Sequence, residues 1–405
     1  MNRVTTTTVV TGVGVTAPNG LGTEDYWRAT LEGRSGIGPV TRFDASRYPT
    51  RLAGEVLGFD ARDHLPGRLL PQTDRVTQLS LTAADWALAD AGVVRGEVDQ
   101  LRSGVITAST CGGFEFGQNE LQALWSRGSE YVSAYQSFAW FYAVNTGQIS
   151  IRNGMRGPSS VVVTDHAGGL DAVAQARQEI NDGSVMIVTG GMDASICPWG
   201  WVGHLAGNRM SADDDRHRAY RPFAADASGH VAGEGGAMMI AEDADSARAR
   251  GARVYGEVSG YGATIDPSPE SGREPGLRRA ILAAIQDAGV TPSEIDVVFA
   301  DGAARADLDR VEADALVGVF GQCGVPVTVP KSLTGRLGAG SGSLDVVTAL
   351  LAMRDGLIPP TVNVDPDPAY GLDLVIDRPR LMDLHVSLVL ARGVGGFNSA
   401  LVLRA

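Results

Sequence analysis

Eight short apolar runs, most of them rich in valine, punctuate the 405-residue chain: TVVTGVGV at 8–15, GVITA at 104–108, SVVVT at 160–164, VMIVTG at 185–190, GAMMIA at 236–241, VVFA at 297–300, PVTV at 326–329 and VSLVLA at 386–391. Runs of this kind, with little polar alternation, predict strands buried on both faces of a sheet. Between them lie stretches such as TQLSLTAADWALADAG (77–92) and LRRAILAAIQDAG (277–289). Their apolar residues recur every three to four positions and each closes on glycine, which predicts amphipathic helices. Strands alternating with helices predict an α/β protein built on buried sheets. A soft boundary near residues 248–256 divides the chain into halves, 1–248 and 249–405, each with its own strand–helix series.

Composition narrows the function. Hydrophobic residues make up 44% of the chain and charged residues 20%, which supplies ample core for one large or two medium domains. The net charge is −13 and no block of five or six basic residues occurs, so the footprint of a nucleic-acid or membrane surface is missing. No apolar run approaches the roughly 20 residues that span a bilayer, and the N-terminus MNRVTTTTVVTGVGV lacks the apolar core of a secretion signal. A cytoplasmic protein is expected. Cys111, Cys197 and Cys323 are odd in number and widely spaced, which argues against a disulfide scaffold and a metal knuckle; they are read as reduced and structural. His217 and His230 show no metal-ligand spacing and are read as satisfied loop or core groups. Neither a cofactor nor a metal is expected.

Two local motifs bear on chemistry. GVGVTA at 12–17 matches a dinucleotide fingerprint, but PNGLG follows where a helix must begin, and helix is expected only from about Thr23. The glycines are therefore read as loop. The second motif, VVVTDHAGGLDAVAQARQEI at 161–180, reads as a buried strand, a tight turn and a helix, with His166 where the chain bends. Such a turn suits an activated nucleophile or an anion site at a helix N-terminus, yet this one carries neither Ser nor Cys. An imidazole beside a positive helix end is expected to stay neutral.

The turn and several long motifs resemble the ketosynthase family of the thiolase fold. The similarity is specifically to the chain-length factor, or ketosynthase beta subunit, of bacterial type II aromatic polyketide synthases. It runs nearly end to end, through VVTGVGVTAPNGLGTEDYW at 9–27, CGGFEFGQNELQALW at 111–125, GGMDASICPWGWV at 190–202, YRPFAADASGHVAGEGGAMM at 220–239, PKSLTGRLGAGSGSLDV at 330–346 and GVGGFNSALVLR at 393–404. The resemblance implies a five-layer αβαβα thiolase fold of two similar halves. It also implies pairing with a ketosynthase alpha subunit and service by an acyl carrier protein bearing malonyl units and the growing chain.

The same resemblance assigns positions. A condensing ketosynthase has a cysteine nucleophile on the turn, where this chain has His166; its two histidines fall at Asp301 and Arg336, while Lys331 and Glu312 persist. The usual gating phenylalanine is replaced by Val394. Without a thiolate no acyl-cysteine forms, so condensation by this chain alone is not expected. Two roles stay open for His166. It either holds a malonyl thioester for decarboxylation or fills a vestigial pocket, hydrogen-bonded to Asp165, Asp301 or backbone. The second is favoured, because its partners have been lost together. The family's tunnel wall maps to Phe114, Phe116, Gly117 and Leu121, with Trp199 bordering the same space. Phe114, Gly117 and Leu121 share one helix face. With no side chain at 117, a long, decaketide-type cavity is expected. Tyr135, Phe138, Trp140 and Phe141 are expected at the heterodimer interface. A purely structural partner that does not set length is the remaining alternative.

Overall fold

The computed structural model describes residues 6–405 apart from 95 and 97. In the first half, strands β1 (Thr8–Ala17), β2 (Ser103–Ala108), β3 (Ser159–Val162), β4 (Met186–Asp193) and β5 (Gly235–Asp243) line up as β1-β5-β4-β2-β3. In the second, β6 (Gly256–Ile265), β7 (Val297–Phe299), β8 (Pro326–Thr328), β9 (Asp373–Leu374), β10 (Val386–Arg392) and β11 (Phe397–Arg404) line up as β6-β11-β10-β7-β8-β9. The first five strands of each series match in order and in sense. The first two neighbouring pairs are antiparallel and the next two parallel. All eight of the apolar runs form strands of this sheet. The halves meet where β1 pairs β6 through Val9↔Glu257 and Val10↔Gly256.

Helices complete the layers. Helix α1 (Arg75–Asp90) covers the outer face of the first half, its N-terminus capped by Asp74, whose carboxylate accepts from the Val76 N–H at 2.9 Å. Helix α2 (Phe114–Arg127) lies beyond the strand ends, with only Gly117 and Ala123 buried. Helix α3 (Gly168–Asn181) follows the His166 turn, and α4 (Pro198–Ala206) packs beside α2. Helix α5 (Leu277–Ala288) covers the outer face of the second half. Helix α6 (Ala339–Asp355), buried along nearly its whole length, lies with α3 between the two parts of the sheet. The layers therefore run α, β, α, β, α. The central core joins Leu170, Val173, Val347 and Leu351 of these two helices to Val13, Met239, Val389 and Leu401 of the strands.

The glycines of GVGVTA are not in a loop: β1 runs through them to Ala17. A Cβ on Gly12 would stand 2.2 Å from the Ala87 carbonyl oxygen, and one on Gly14 2.0 Å from that of Ala83. The strand needs these glycines because the backbone of α1 lies directly on it. The second half repeats the device, with Gly260 and Gly262 facing the Ala284 and Ala280 carbonyls of α5 at 2.3 and 2.2 Å. A dinucleotide-like fingerprint is thus a strand–helix contact made twice. Gly14→Ala is expected to force α1 off β1 and to cost about 3 kcal/mol, read as a lowered thermal unfolding midpoint, whereas Gly38→Ala, with open space around the added Cβ, leaves it unchanged.

Candidate functional site

The site forms where the C-terminal ends of β2 and β4 meet the start of the central helices. Asp193, at the end of β4, accepts from Ser109 Oγ and the Thr110 N–H at 2.8 and 2.9 Å and from the Ala339 N–H at 2.8 Å. One buried carboxylate thereby fixes the end of β2 and the start of α6. After β3 the chain turns through Asp165, which sits at φ 54°, a left-handed conformation unusual for a residue other than glycine. Its carboxylate accepts from the Val394 N–H at 2.5 Å, which ties the turn to the loop after β10. Helix α3 then starts at Gly168, and a Cβ on Gly169 would stand 2.4 Å from the Ala339 carbonyl, so the glycine pair lets the two central helices touch.

His166 emerges from this turn half-buried, against a cavity of about 310 Å³. Its Nδ1 donates to the Gly338 carbonyl at 3.2 Å, which leaves Nε2 as the unprotonated nitrogen of a neutral ring facing the cavity. Burial and then the nearby Arg336 hold its pKa below the usual histidine range, against the pull of Asp165. Two more histidines line the same cavity. His230 stands 6.2 Å from His166, ring centre to ring centre, and His204 Nε2 bonds Ser195 Oγ at 2.8 Å. Burial keeps both neutral, His204 down to about 4 and His230 well below its ordinary value.

Behind the turn lies a closed set of charges. Asp301 and Arg336 form a two-pronged buried pair with both contacts at 2.9 Å. Arg336 also donates to the Asp301 and Arg392 carbonyls at 3.2 Å, while Asp301 accepts from the Arg392 N–H at 3.0 Å. Burial would raise the Asp301 carboxyl, but Arg336 holds it at about 2. Glu312 accepts from the Asp301 and Gly302 N–H groups at 2.7 and 2.9 Å, and burial, then Asp301, raise its pKa. Lys331 is spent on Asp345 and on the Ala300 carbonyl, the latter at 2.9 Å. These groups neutralise one another and leave no proton donor aimed at His166.

Of the expected tunnel residues, Phe114 lines the His166 cavity and stacks on Trp199 at 4.7 Å and 10°. Gly117, one turn on, has Trp199 beside it: an added Cβ would lie 3.2 Å from the indole. Leu121 is exposed farther along the helix. Phe116 is not brought to this group. It lies on another side of α2, with Arg42, Asp74 and Gln78 around a shallow polar hollow, and its N–H donates to Asp74 at 2.7 Å. Two positions along a helix is a turn of about 200° from Phe114, so the two rings cannot share a wall. Tyr135, Trp140 and Phe141 are exposed: Trp140 adjoins Gly117 of α2 and meets Phe141 edge-on, and Tyr135 meets the half-buried Phe138 edge-on at 5.9 Å. Val394 lines the cavity mouth, half exposed.

The reading of His230 as a satisfied group needs correction, since its ring has no hydrogen-bond partner among the described residues and opens on the cavity. Cys111 is also at the cavity wall, yet burial, then Asp193, push its thiol up and out of reach of a thiolate. His204, Ser195 and Arg209 also line the space and were not singled out in the sequence. Nothing in their spacing marks them: Ser195 precedes α4, His204 lies on it and Arg209 follows it, so the fold of this one helix brings them in. Among the described residues no helix is long and apolar enough to cross a membrane.

This architecture is that of a condensing-enzyme fold whose nucleophile turn carries a histidine. The chain belongs to the beta-ketoacyl synthase family, matching its N-terminal domain over residues 6–246 and its C-terminal domain over 255–365. Within the family it is 58% identical over 399 residues, 98% of either chain, to the tetracenomycin polyketide synthase ketoacyl synthase beta subunit of Streptomyces glaucescens. Among solved structures it matches the ishigamide ketosynthase/chain length factor with a TM-score of 0.90 and 29% identity, over 99% of this chain and 100% of the other. It matches a type II polyketide synthase complex of an acyl carrier protein with its ketosynthase bound to the hexaketide with a TM-score of 0.88 and 26% identity, over 99% of each chain.

Two predictions follow from the charges. Asp301→Asn strands a buried guanidinium and is expected to destabilise the protein by about 3–5 kcal/mol, whereas Asp307→Asn, at an exposed pair, shifts the unfolding midpoint little. His204, held at about 4 when folded, binds fewer protons than the unfolded chain below pH ~6.5, so its contribution is lost as pH falls from 6.5 to 4. The difference in unfolding midpoint between wild type and His204→Gln is expected to shift against the wild type from pH 7.5 to pH 4.5.

Proposed function

We propose that this chain is the non-condensing chain-length subunit of a type II polyketide synthase, paired with a ketosynthase alpha subunit that carries the nucleophile and served by an acyl carrier protein. The observation that carries this reading is the Phe114–Trp199 stack. Phe114 lines the His166 cavity, and at Gly117, where an added Cβ would lie 3.2 Å from Trp199 and 3.5 Å from the Trp140 Cβ, the stack adjoins the exposed pair Trp140 and Phe141. An exposed cluster of this composition suits a buried subunit interface. A chain growing from the partner's cysteine along that interface would meet Phe114, Gly117 and Trp199. The histidine on the nucleophile turn and the self-neutralised Asp301–Arg336 pair fit a subunit that shapes the product rather than forming its bonds. Halves 1–248 and 249–405 are read as the two ketosynthase-like units, and the complex as cytoplasmic.

Side-chain volume at position 117 decides between this reading and a purely structural partner. A Cβ there already meets Trp199 at 3.2 Å, so a phenyl ring must displace the indole or fill the path. With the alpha subunit, carrier protein and malonyl-CoA present, Gly117→Phe is expected to shift the product, by mass spectrometry, to a polyketide shorter by at least one two-carbon unit. The heterodimer should persist on size-exclusion chromatography. Unchanged length from an intact heterodimer would reduce the chain to a scaffold.

A further inference from the structure

Helix α2 carries Phe114 and Gly117, yet only Gly117 and Ala123 of its 14 residues are buried. Burying a glycine and an alanine removes little apolar surface from water, so the core does little to fix where this helix lies. Its position depends on polar tethers instead. At its start the Gly113 N–H donates to the Trp140 carbonyl at 2.9 Å and the Phe116 N–H to Asp74 at 2.7 Å. These pin one end.

Two further tethers reach across to α4. Gln118 accepts the Trp199 N–H at 2.7 Å. The other runs through Arg42, whose Nε donates to the Ile196 carbonyl, just before α4, at 3.2 Å, while a second guanidinium nitrogen pairs with Glu115 of α2. Arg42 is itself held on the α4 side. Glu55, only 3% exposed, accepts from the Thr41 and Arg42 N–H groups at 2.9 and 3.2 Å, and Phe43 meets the buried Trp201 of α4 edge-on at 5.8 Å. A planar guanidinium suits the task, since its fork reaches two acceptors in fixed directions at once. Arg42 and Glu115 line the polar hollow and not the His166 cavity. They act on the cavity wall only through the helix.

We propose that Arg42 is a positioning residue for product length. By holding Glu115 and the Ile196 carbonyl together it sets the tilt of α2 about its pinned start, and with it the gap between Phe114 and Gly117 on one side and Trp199 on the other. The inference rests on the reading of those three residues as the wall that limits the growing chain. It adds that the spacing of the wall is governed from outside the cavity, by side chains that never meet the product.

The test is mass spectrometry of the products made by the heterodimer with carrier protein and malonyl-CoA, for wild type, Arg42→Met, Arg42→Lys, Glu115→Gln and the double variant Arg42→Met with Glu115→Gln. Arg42→Met keeps the stem and removes the fork. It is expected to lower the ratio of the main product to those one two-carbon unit shorter or longer by about threefold, the factor that an ion pair of this exposure is worth. Glu115→Gln should do the same, the double variant no more than either single change, and Arg42→Lys should keep part of the wild-type ratio. A residue that only stabilised the fold would lower the total product and leave the ratio alone. That result from Arg42→Met and Glu115→Gln in assembled heterodimers overturns the proposal; should Arg42→Met fail to assemble, Glu115→Gln, which loses the ion pair alone, decides. Gly117→Phe in the same assay separates the two readings. If it shortens the product while the Arg42 and Glu115 variants keep the wild-type ratio, this inference alone falls; if it too leaves the length unchanged, the tunnel reading falls and this one with it.

Discussion

Everything around the nucleophile turn is arranged over one buried ion pair, Asp301 with Arg336. Two opposite charges in a low-dielectric interior are tolerable only when their remaining hydrogen-bonding capacity is met. Here the Arg392 backbone supplies both a donor and an acceptor, and Glu312 holds the N–H of Asp301 itself. The pair consequently staples the end of β7, the loop before α6 and the end of β10 to one point. The turn bearing His166 rests against that point through Gly338 and Val394. Burial first, and then the positive potential of Arg336, keep His166 and His230 neutral.

Packing, by contrast, governs the route out of the cavity. Helix α2 is held at its start by Asp74, whose carboxylate also caps α1, and its contact with α4 is fixed by the Trp199 N–H donating to Gln118 at 2.7 Å. Phe114, Gly117 and Trp199 are therefore presented by two elements locked to each other. A volume change at one is felt at the others. The exposed aromatic residues begin where that contact ends, so cavity wall and outer face are parts of one surface.

Much of this was legible in the sequence. Every apolar run became a strand, because β-branched residues without polar alternation have few other solutions. Strand β6, GEVSGYGATI, escaped notice because its glycines dilute the pattern. The glycines of GVGVTA sit in the apolar run at 8–15 and were read as loop only because PNGLG follows, although the strand runs on to Ala17 before that turn. The two are one signal: a Gly-x-Gly whose missing side chains admit a helix packed on alanines. Motif placed His166, Asp301, Arg336, Lys331 and Glu312 near one another, and they do cluster. Motifs did not show that Asp301 and Arg336 pair with each other rather than with His166. Phe116 went astray because residues two apart on a helix point to different sides. His230 and Arg209 could not be placed on one cavity wall from the sequence, since no spacing marks either of them.

The ion pair also limits which substitutions the chain can bear. Replacing Asp301 alone leaves Arg336 without its counter-charge, and replacing Arg336 alone leaves Asp301 so. Either single change passes through a protein with an uncompensated interior charge, whereas a paired change to neutral residues does not. The two positions act as a lock: each is held by the other, and neither can drift by itself.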